Sequence, residues 1–284
     1  MPIRFQDVSF TYSPKTPFAY EALQHIDLEI REGDFVAIVG KTGCGKSTLV
    51  QHMNALNNPN EGCVLIDDFR NDSNKKTRSK KVKDLRKKVG LVFQFPEYQL
   101  FEENVEKDVA FAPKNFGLSS EEALNKAHEA LGKVGLDESF YERSPFELSG
   151  GEKRRVAIAG ILAAEPSYLV VDEPTAGLDP NGAKQLMDLF RDIHAQGTTI
   201  VLVTHDMDLV LRYCNRVIVI DDGRVVMETE PKNLFDVDVE EYALESPLVF
   251  SFAKRLKKAG LALGDEPIAD CKALAKAIVE AKGS

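Results

Sequence analysis

The chain has 284 residues, 43% of them hydrophobic, which is enough apolar content for a sizeable buried core. Its formal net charge is −9 and its pI about 5.2, which excludes a dominant electrostatic footprint for nucleic acid. No apolar run approaches the roughly 20 residues that span a bilayer. The N-terminal MPIRFQDVSF has no signal-peptide core. Cys44, Cys63, Cys214 and Cys271 are scattered without metal-ligand spacing. Together these features point to a cytosolic chain with reduced thiols.

In chain order, RFQDVSFTY and LQHIDLEI alternate apolar with polar, as half-buried antiparallel strands do. DFVAIVG is a continuous apolar run ending in glycine, the pattern of a buried parallel strand. KSTLVQHMNAL then reads as a helix and CVLID as a strand. Residues 70–88 are polar, and KKTRSKKVKDLRKK (Lys75–Lys88) is strongly basic. That run reads as a solvated loop and helix face, with contact to an anionic membrane surface as the competing reading. VGLVFQ is a buried strand ending near Gln94. Helical patterns follow at about 104–113, 120–134 and 150–164. YLVVDEP is a further buried strand, and NGAKQLMDLFRDIHAQG is an amphipathic helix with a glycine stop. TTIVLVTHD and NRVIVIDDGRVV add strands.

This alternation predicts an α/β fold with a mainly parallel core sheet, a small antiparallel β subdomain and a helical subdomain at about 95–165. Strand signals stop after about residue 228. Residues 229–284 read as a helical C-terminal appendage, with PLVFSFAKRLKKAG and CKALAKAIVEAKG as helices. The spacing of Leu248, Phe252 and Leu256, then of Leu274 and Ile278, suits packing against either a partner chain or the chain's own core.

GKTGCGKST, from Gly40 to Thr48, matches the phosphate-loop pattern G-x-x-x-x-G-K-[ST] between a buried strand and a helix. Gly40, Gly43 and Gly45 let the amides of Lys41, Thr42, Cys44 and their neighbours converge on phosphate oxygens, and the helix N-terminus adds its positive end. Lys46 is predicted to reach the β- and γ-phosphates, and Ser47 to ligate Mg²⁺. Cys44 reads as filling a small-residue slot, with a redox thiol as the alternative. At the end of YLVVDEP, Asp172 reads as a metal-binding carboxylate and Glu173 as a general base for water. ELSGGEKRRVAIAGIL opens a second helix with Ser149, Gly150, Gly151 and Glu152. One nucleotide needs only one such cradle, so this second end is predicted to serve the nucleotide of another copy across a dimer interface.

On these residues the chain resembles the ABC transporter ATPases over about residues 3–228. GKTGCGKS is similar to their Walker A motif, YLVVDE to Walker B, LSGGE to the signature sequence and GLDP to the D-loop. The resemblance implies a P-loop NTPase fold and hydrolysis of ATP with Mg²⁺. It implies that Asp179 bridges two active sites, that His205 senses the γ-phosphate and that Tyr12 stacks on adenine. It also implies that Gln94 touches the metal or its water, which a neutral donor–acceptor side chain does without adding charge. QFPEYQLFEENVEKDVAFAPKNFG and LSGGEKRRVAIAGILA resemble the energy-coupling factor branch, in the second (A-prime) type of ATPase subunit. That branch implies ATP-driven uptake of vitamins or transition-metal ions. Its partners are a second, non-identical ATPase subunit, a transmembrane coupling subunit and small membrane substrate-binding subunits, with the ATPases at the cytoplasmic face of the cell membrane. Phe95, Tyr98, Leu100 and Phe101 would then face a partner helix. The alternatives are a different ABC importer class and a non-transport ABC ATPase; the acidic charge and the lack of a second ATPase unit weigh against the latter.

Overall fold

The computed structural model describes residues 2–73, 81–235, 239–242, 244–264, 268 and 271–283. The elements run β1 (Ile3–Tyr12), β2 (Tyr20–Ile30), β3 (Phe35–Val39), α1 (Lys46–Met53), β4 (Glu61–Ile66), β5 (Phe69–Asn71), α2 (Val82–Lys88) and β6 (Val89–Val92). They continue with α3 (Val105–Asn115), α4 (Ser120–Lys133), α5 (Gly150–Leu162), β7 (Tyr168–Asp172), α6 (Pro180–Ala195), β8 (Thr199–Val203) and α7 (Met207–Tyr213). The chain closes with β9 (Arg216–Asp221), β10 (Arg224–Thr229), α8 (Pro231–Leu234), α9 (Leu248–Lys258) and α10 (Cys271–Gly283).

Two sheets form. The larger has the order β10-β9-β3-β8-β7-β6. Its strands β9, β3, β8, β7 and β6 are parallel, and β10 joins antiparallel at one edge. Every residue of β3, β6, β7 and β8 is buried, as continuous apolar strands covered on both faces must be. The smaller sheet is antiparallel, with the order β2-β1-β4-β5. Helix α1 lies between the sheets: Leu49, Val50 and Met53 share one core with Leu23 and Val64 of the small sheet and Ile38 and Val170 of the large one. A second core joins the large sheet to α3, α4, α5 and α6 through Val109, Ala127, Val156, Phe190 and Leu202. The doubly wound order places the ends of β3, β8, β7 and β6 side by side, and ligands of open α/β sheets bind beyond such C-terminal ends.

The C-terminal residues divide between two packings. Leu234, Phe235, Val239 and Leu244 join the chain's own core beside Val39, Val217 and Val219. The rings of Phe235 and Phe250 stand 5.1 Å apart. Helices α9 and α10 pack on each other around Ala253 and Leu274, with Leu256 and Ile278 half-buried beside them. Leu248 and Phe252 stay open, at 83% and 52% exposure. Of the basic run, residues 75–80 lie outside the described residues; Lys81 and Lys88 pair with Asp68 and Asp67.

Candidate active site

The phosphate loop follows β3 and ends where α1 begins. Gly45 caps α1 with φ 106°, and a Cβ there would come 2.4 Å from the carbonyl oxygen of Ala22. Only glycine fits that left-handed, crowded position. Lys46 Nζ donates to the carbonyl oxygens of Gly40 and Lys41, both at 2.8 Å, so the loop wraps around the ammonium. Lys41 stands 3.4 Å from Asp221, and Thr42 is exposed. Cys44 is buried, and that burial pushes its thiol up. A raised thiol is a poor thiolate, which favours the small-residue slot over a redox role.

The antiparallel sheet reaches over the same loop. Tyr12 Oη lies 3.1 Å from Thr48 Oγ1. Tyr12 is 39% exposed, and the ring of Phe10 meets its ring edge-on at 4.8 Å. Tyr20 pairs with Tyr12 across the β1–β2 hairpin and donates its hydroxyl to the Gly43 carbonyl at 2.8 Å. Tyr20 was not singled out from the sequence. Its signal was available: Tyr12 and Tyr20 flank the short segment SPKTPFA, and a hairpin brings such residues together.

Strand β7 delivers the carboxylates. Ser47 hydrogen-bonds Asp172, which is buried; burial pushes the Asp172 carboxyl above its ordinary range. Glu173 stands in a left-handed conformation, φ 48°, held by its amide donating to the Val203 carbonyl at 2.9 Å. Glu173 Oε1 lies 2.9 Å from His205 Nδ1, and the His205 side chain is 79% exposed. Thus Lys46, Ser47, Asp172, Glu173 and His205 come together at neighbouring strand ends. Gln94 lies just beyond β6 and is exposed; among the described residues its side chain makes no hydrogen bond.

The second glycine-rich end lies on α5. Ser149 caps the helix: its hydroxyl stands 2.7 Å from Glu152 Oε2, which also accepts from the Ser149 amide at 2.8 Å. These bonds hold the Glu152 carboxyl below the usual range. Gly150 and Gly151 are exposed, with nothing within 4 Å of a Cβ at either. Among the described residues no hydrogen bond joins this end to the phosphate loop. Asp179 caps α6, accepting from the amides of Asn181 and Gly182, each at 2.9 Å.

A further network was not legible beforehand. Arg154 of α5 bonds Glu97 beyond β6 and the carbonyls of Pro174 and Ala176 behind Glu173. Its partners lie far away in sequence, so no local pattern marks it.

The donor set suits a hard cation. Ser47 and Asp172 offer a hydroxyl and a buried carboxylate on one hydrogen bond, and oxygen ligands of this kind suit Mg²⁺. Among the described residues no group of three or more His, Cys, Asp or Glu forms an all-protein metal cage. Mg²⁺ held by one or two protein oxygens and substrate phosphates needs none.

A glycine loop wrapped on a lysine between a buried parallel strand and a helix, with a hydroxyl and carboxylates at its rim, defines a P-loop nucleoside triphosphatase. More narrowly, the chain belongs to the ABC transporter family, whose model matches residues 23–176, and it is an ATPase. It is 51% identical over 271 residues to the energy-coupling factor transporter ATP-binding protein EcfA2 of Enterococcus faecalis, covering 94% of this chain and 93% of the relative. The Streptococcus pyogenes protein of the same name is 50% identical over 270 residues, covering 94% and 96%. Among solved structures, cbiO1 from Clostridium perfringens, part of the ABC transporter complex cbiONQ, superposes with TM-score 0.73 at 36% identity, covering 91% of this chain and 96% of that one. The dimeric cassette MJ0796 superposes with TM-score 0.70 at 32% identity, covering 81% and 98%.

Proposed function

We propose that this chain is an ATP-hydrolysing subunit of an energy-coupling factor transporter, driving uptake of vitamins or transition-metal ions. The observation that carries the mechanism is the open Ser149–Gly151 end. Its Gly150 and Gly151, the first two residues of α5, carry amides without an intrahelical partner and have open space around them, and one of the similar solved cassettes is a dimer. Two ATPase subunits then close head-to-tail around two ATP molecules. Tyr12 takes the adenine, giving up its bond to Thr48. Lys46 leaves the carbonyls of Gly40 and Lys41 for the β- and γ-phosphates. Ser47, Asp172 and Gln94 would hold Mg²⁺, which would neutralise phosphate charge when bound. Ser149, Gly150 and Gly151 of the opposite subunit donate to the γ-phosphate. Glu173 polarises the water, and His205, already bonded to it, orients that carboxylate and meets the γ-phosphate. Asp179 lies at the seam between the two sites.

The second subunit is a non-identical ATPase in this reading. Residues 1–228 form the nucleotide-binding domain, and 229–284 an appendage whose open Leu248 and Phe252 meet that subunit. The partners in the membrane are a transmembrane coupling subunit and small substrate-binding subunits. Among the described residues no helix is long and apolar enough to cross a membrane. In this reading the chain sits peripherally on the cytoplasmic face through those subunits. Its docking face is the aromatic group beyond Gln94: Phe95, Tyr98 and Phe101 are 42%, 85% and 56% exposed, while Leu100 is buried. Gentle detergent extraction of the tagged chain, with mass spectrometry of its companions, tests this. A second ATPase, a larger membrane protein and small hydrophobic proteins are expected. A permease with a soluble binding protein, or ribosomal proteins, would overturn the transporter class and leave the ATPase intact.

A further inference from the structure

Arg154 is 5% exposed, and each of its guanidinium nitrogens is engaged. Nε and Nη2 donate to the two carboxylate oxygens of Glu97, at 3.1 and 3.0 Å. Nη1 donates to the Pro174 carbonyl at 3.1 Å and the Ala176 carbonyl at 2.9 Å. The ring of Phe95 lies 5.9 Å from the guanidinium carbon. Three segments therefore meet on one side chain: the residues beyond Gln94, the helix opened by Ser149, and the turn from Glu173 to Asp179. Arginine suits this junction, because its planar fork binds a carboxylate and carbonyls at fixed angles.

A buried ion pair is weak evidence of a stabilising role, since apolar packing does as well at such a junction. The geometry supplies another reason for it. Glu97 sits in the short turn Pro96–Gln99, beside Phe95 and the 85% exposed Tyr98, so it shares one turn with that aromatic face. At the other end, Pro174 follows Glu173, whose left-handed backbone at φ 48° persists only if its surroundings hold it.

We propose that Arg154 is a positioning residue that fixes the turn behind Glu173 and ties the placement of that carboxylate to the position of Glu97. The inference rests on Glu173 being the group that polarises water. Through Arg154, what docks on the aromatic face sets the geometry of hydrolysis, and the same side chain carries the displacement into α5 and its Ser149 end.

The test uses the full-length chain purified with the subunits that accompany it. Arg154→Gln is expected to lower kcat by about 10- to 100-fold, the scale of a misplacement near 1 Å. KM and ATP affinity stay within about twofold, because only the transition-state arrangement is disturbed. Arg154→Lys recovers part of the loss. Glu97→Gln lowers kcat by about 3- to 10-fold, and adds nothing when combined with Arg154→Gln, as partners in one network behave. A merely structural role would lower thermal stability and ATP binding together with kcat, and would make the two substitutions additive. Full turnover in Arg154→Gln, or either of those patterns, overturns the proposal. If Arg154→Gln does not fold, Glu97→Gln decides alone: lowered kcat at unchanged KM supports the tie, and normal kcat refutes it. Glu173→Gln is measured alongside. Normal turnover there brings down the general-base reading and this inference with it. Lost turnover there, with full turnover in Arg154→Gln, refutes the tie alone.

Discussion

The two glycine-rich helix ends of this chain are built differently. At the start of α1 the loop closes on its own lysine, Ser47 engages Asp172, and tyrosines from the other sheet touch Thr48 and Gly43. At the start of α5 the cap is complete within Ser149 and Glu152, while Gly150 and Gly151 face solvent with open space around them. Both ends have amides to offer an anion. The first is surrounded by groups that recognise a whole nucleotide. The second is isolated, as a surface completed by another molecule would be.

Glu173→Gln separates the two helix ends most strongly. It is expected to lower turnover by about 10²- to 10⁴-fold, the range for loss of a general base, while equilibrium binding of ATP persists. Turnover at the normal rate would show that the first end does not carry the chemistry. Gly151→Asp comes next. Nothing crowds a side chain there, so the chain should fold, and ATP affinity of the isolated subunit should be unchanged. An anion facing the phosphate should reduce turnover by about 100-fold and abolish ATP-dependent dimer formation in sedimentation measurements. Weakened ATP binding by the single subunit would place both ends in one site. Lys46→Ala should weaken ATP affinity by about 10- to 100-fold in calorimetry, the scale of a charged hydrogen bond. Unchanged affinity would mean that the wrapped loop is not the phosphate cradle.

The smallest effect near neutrality, growing on acidification, belongs to His52 on the buried side of α1. Its Nδ1 donates to the Thr48 carbonyl at 2.7 Å, and burial lowers its pKa to about 4. Above the ordinary histidine value of 6.5 both folded and unfolded states hold it neutral. As pH falls from 6.5 toward 4 the unfolded chain takes up the proton first, so stability drops, by on the order of 3 kcal/mol in all. His52→Gln should flatten that part of the pH–stability curve in denaturant titrations. An equally steep curve would assign the acid sensitivity elsewhere.

Much of the fold was legible because its signals are local. The continuous apolar run of β3 marked a parallel strand and those of β6 and β7 buried strands, and the glycine and serine caps marked where α1 and α5 begin. Arg154 was missed because its partner Glu97 is distant along the chain and the pairing leaves no periodic trace. For Tyr20 the hairpin pattern marks its place beside Tyr12, but nothing local marks its bond to Gly43. The C-terminal spacing was ambiguous for a related cause. Apolar positions show that a helix packs, but not on what: Leu256, Leu274 and Ile278 turn toward one another, while Leu248 and Phe252 remain open.

The phosphate loop, the strand-end carboxylates and the second capped end could be read from the residues, because each depends on residue types at short, fixed spacing. Which of them meet follows from the folded arrangement. Strand order brought the ends of β3, β8, β7 and β6 into one row, putting Ser47 on Asp172 and His205 on Glu173, and left Ser149 apart. Such meetings depend on chain segments converging in space, and the hydrogen bonds that record them form only once the core has set that convergence.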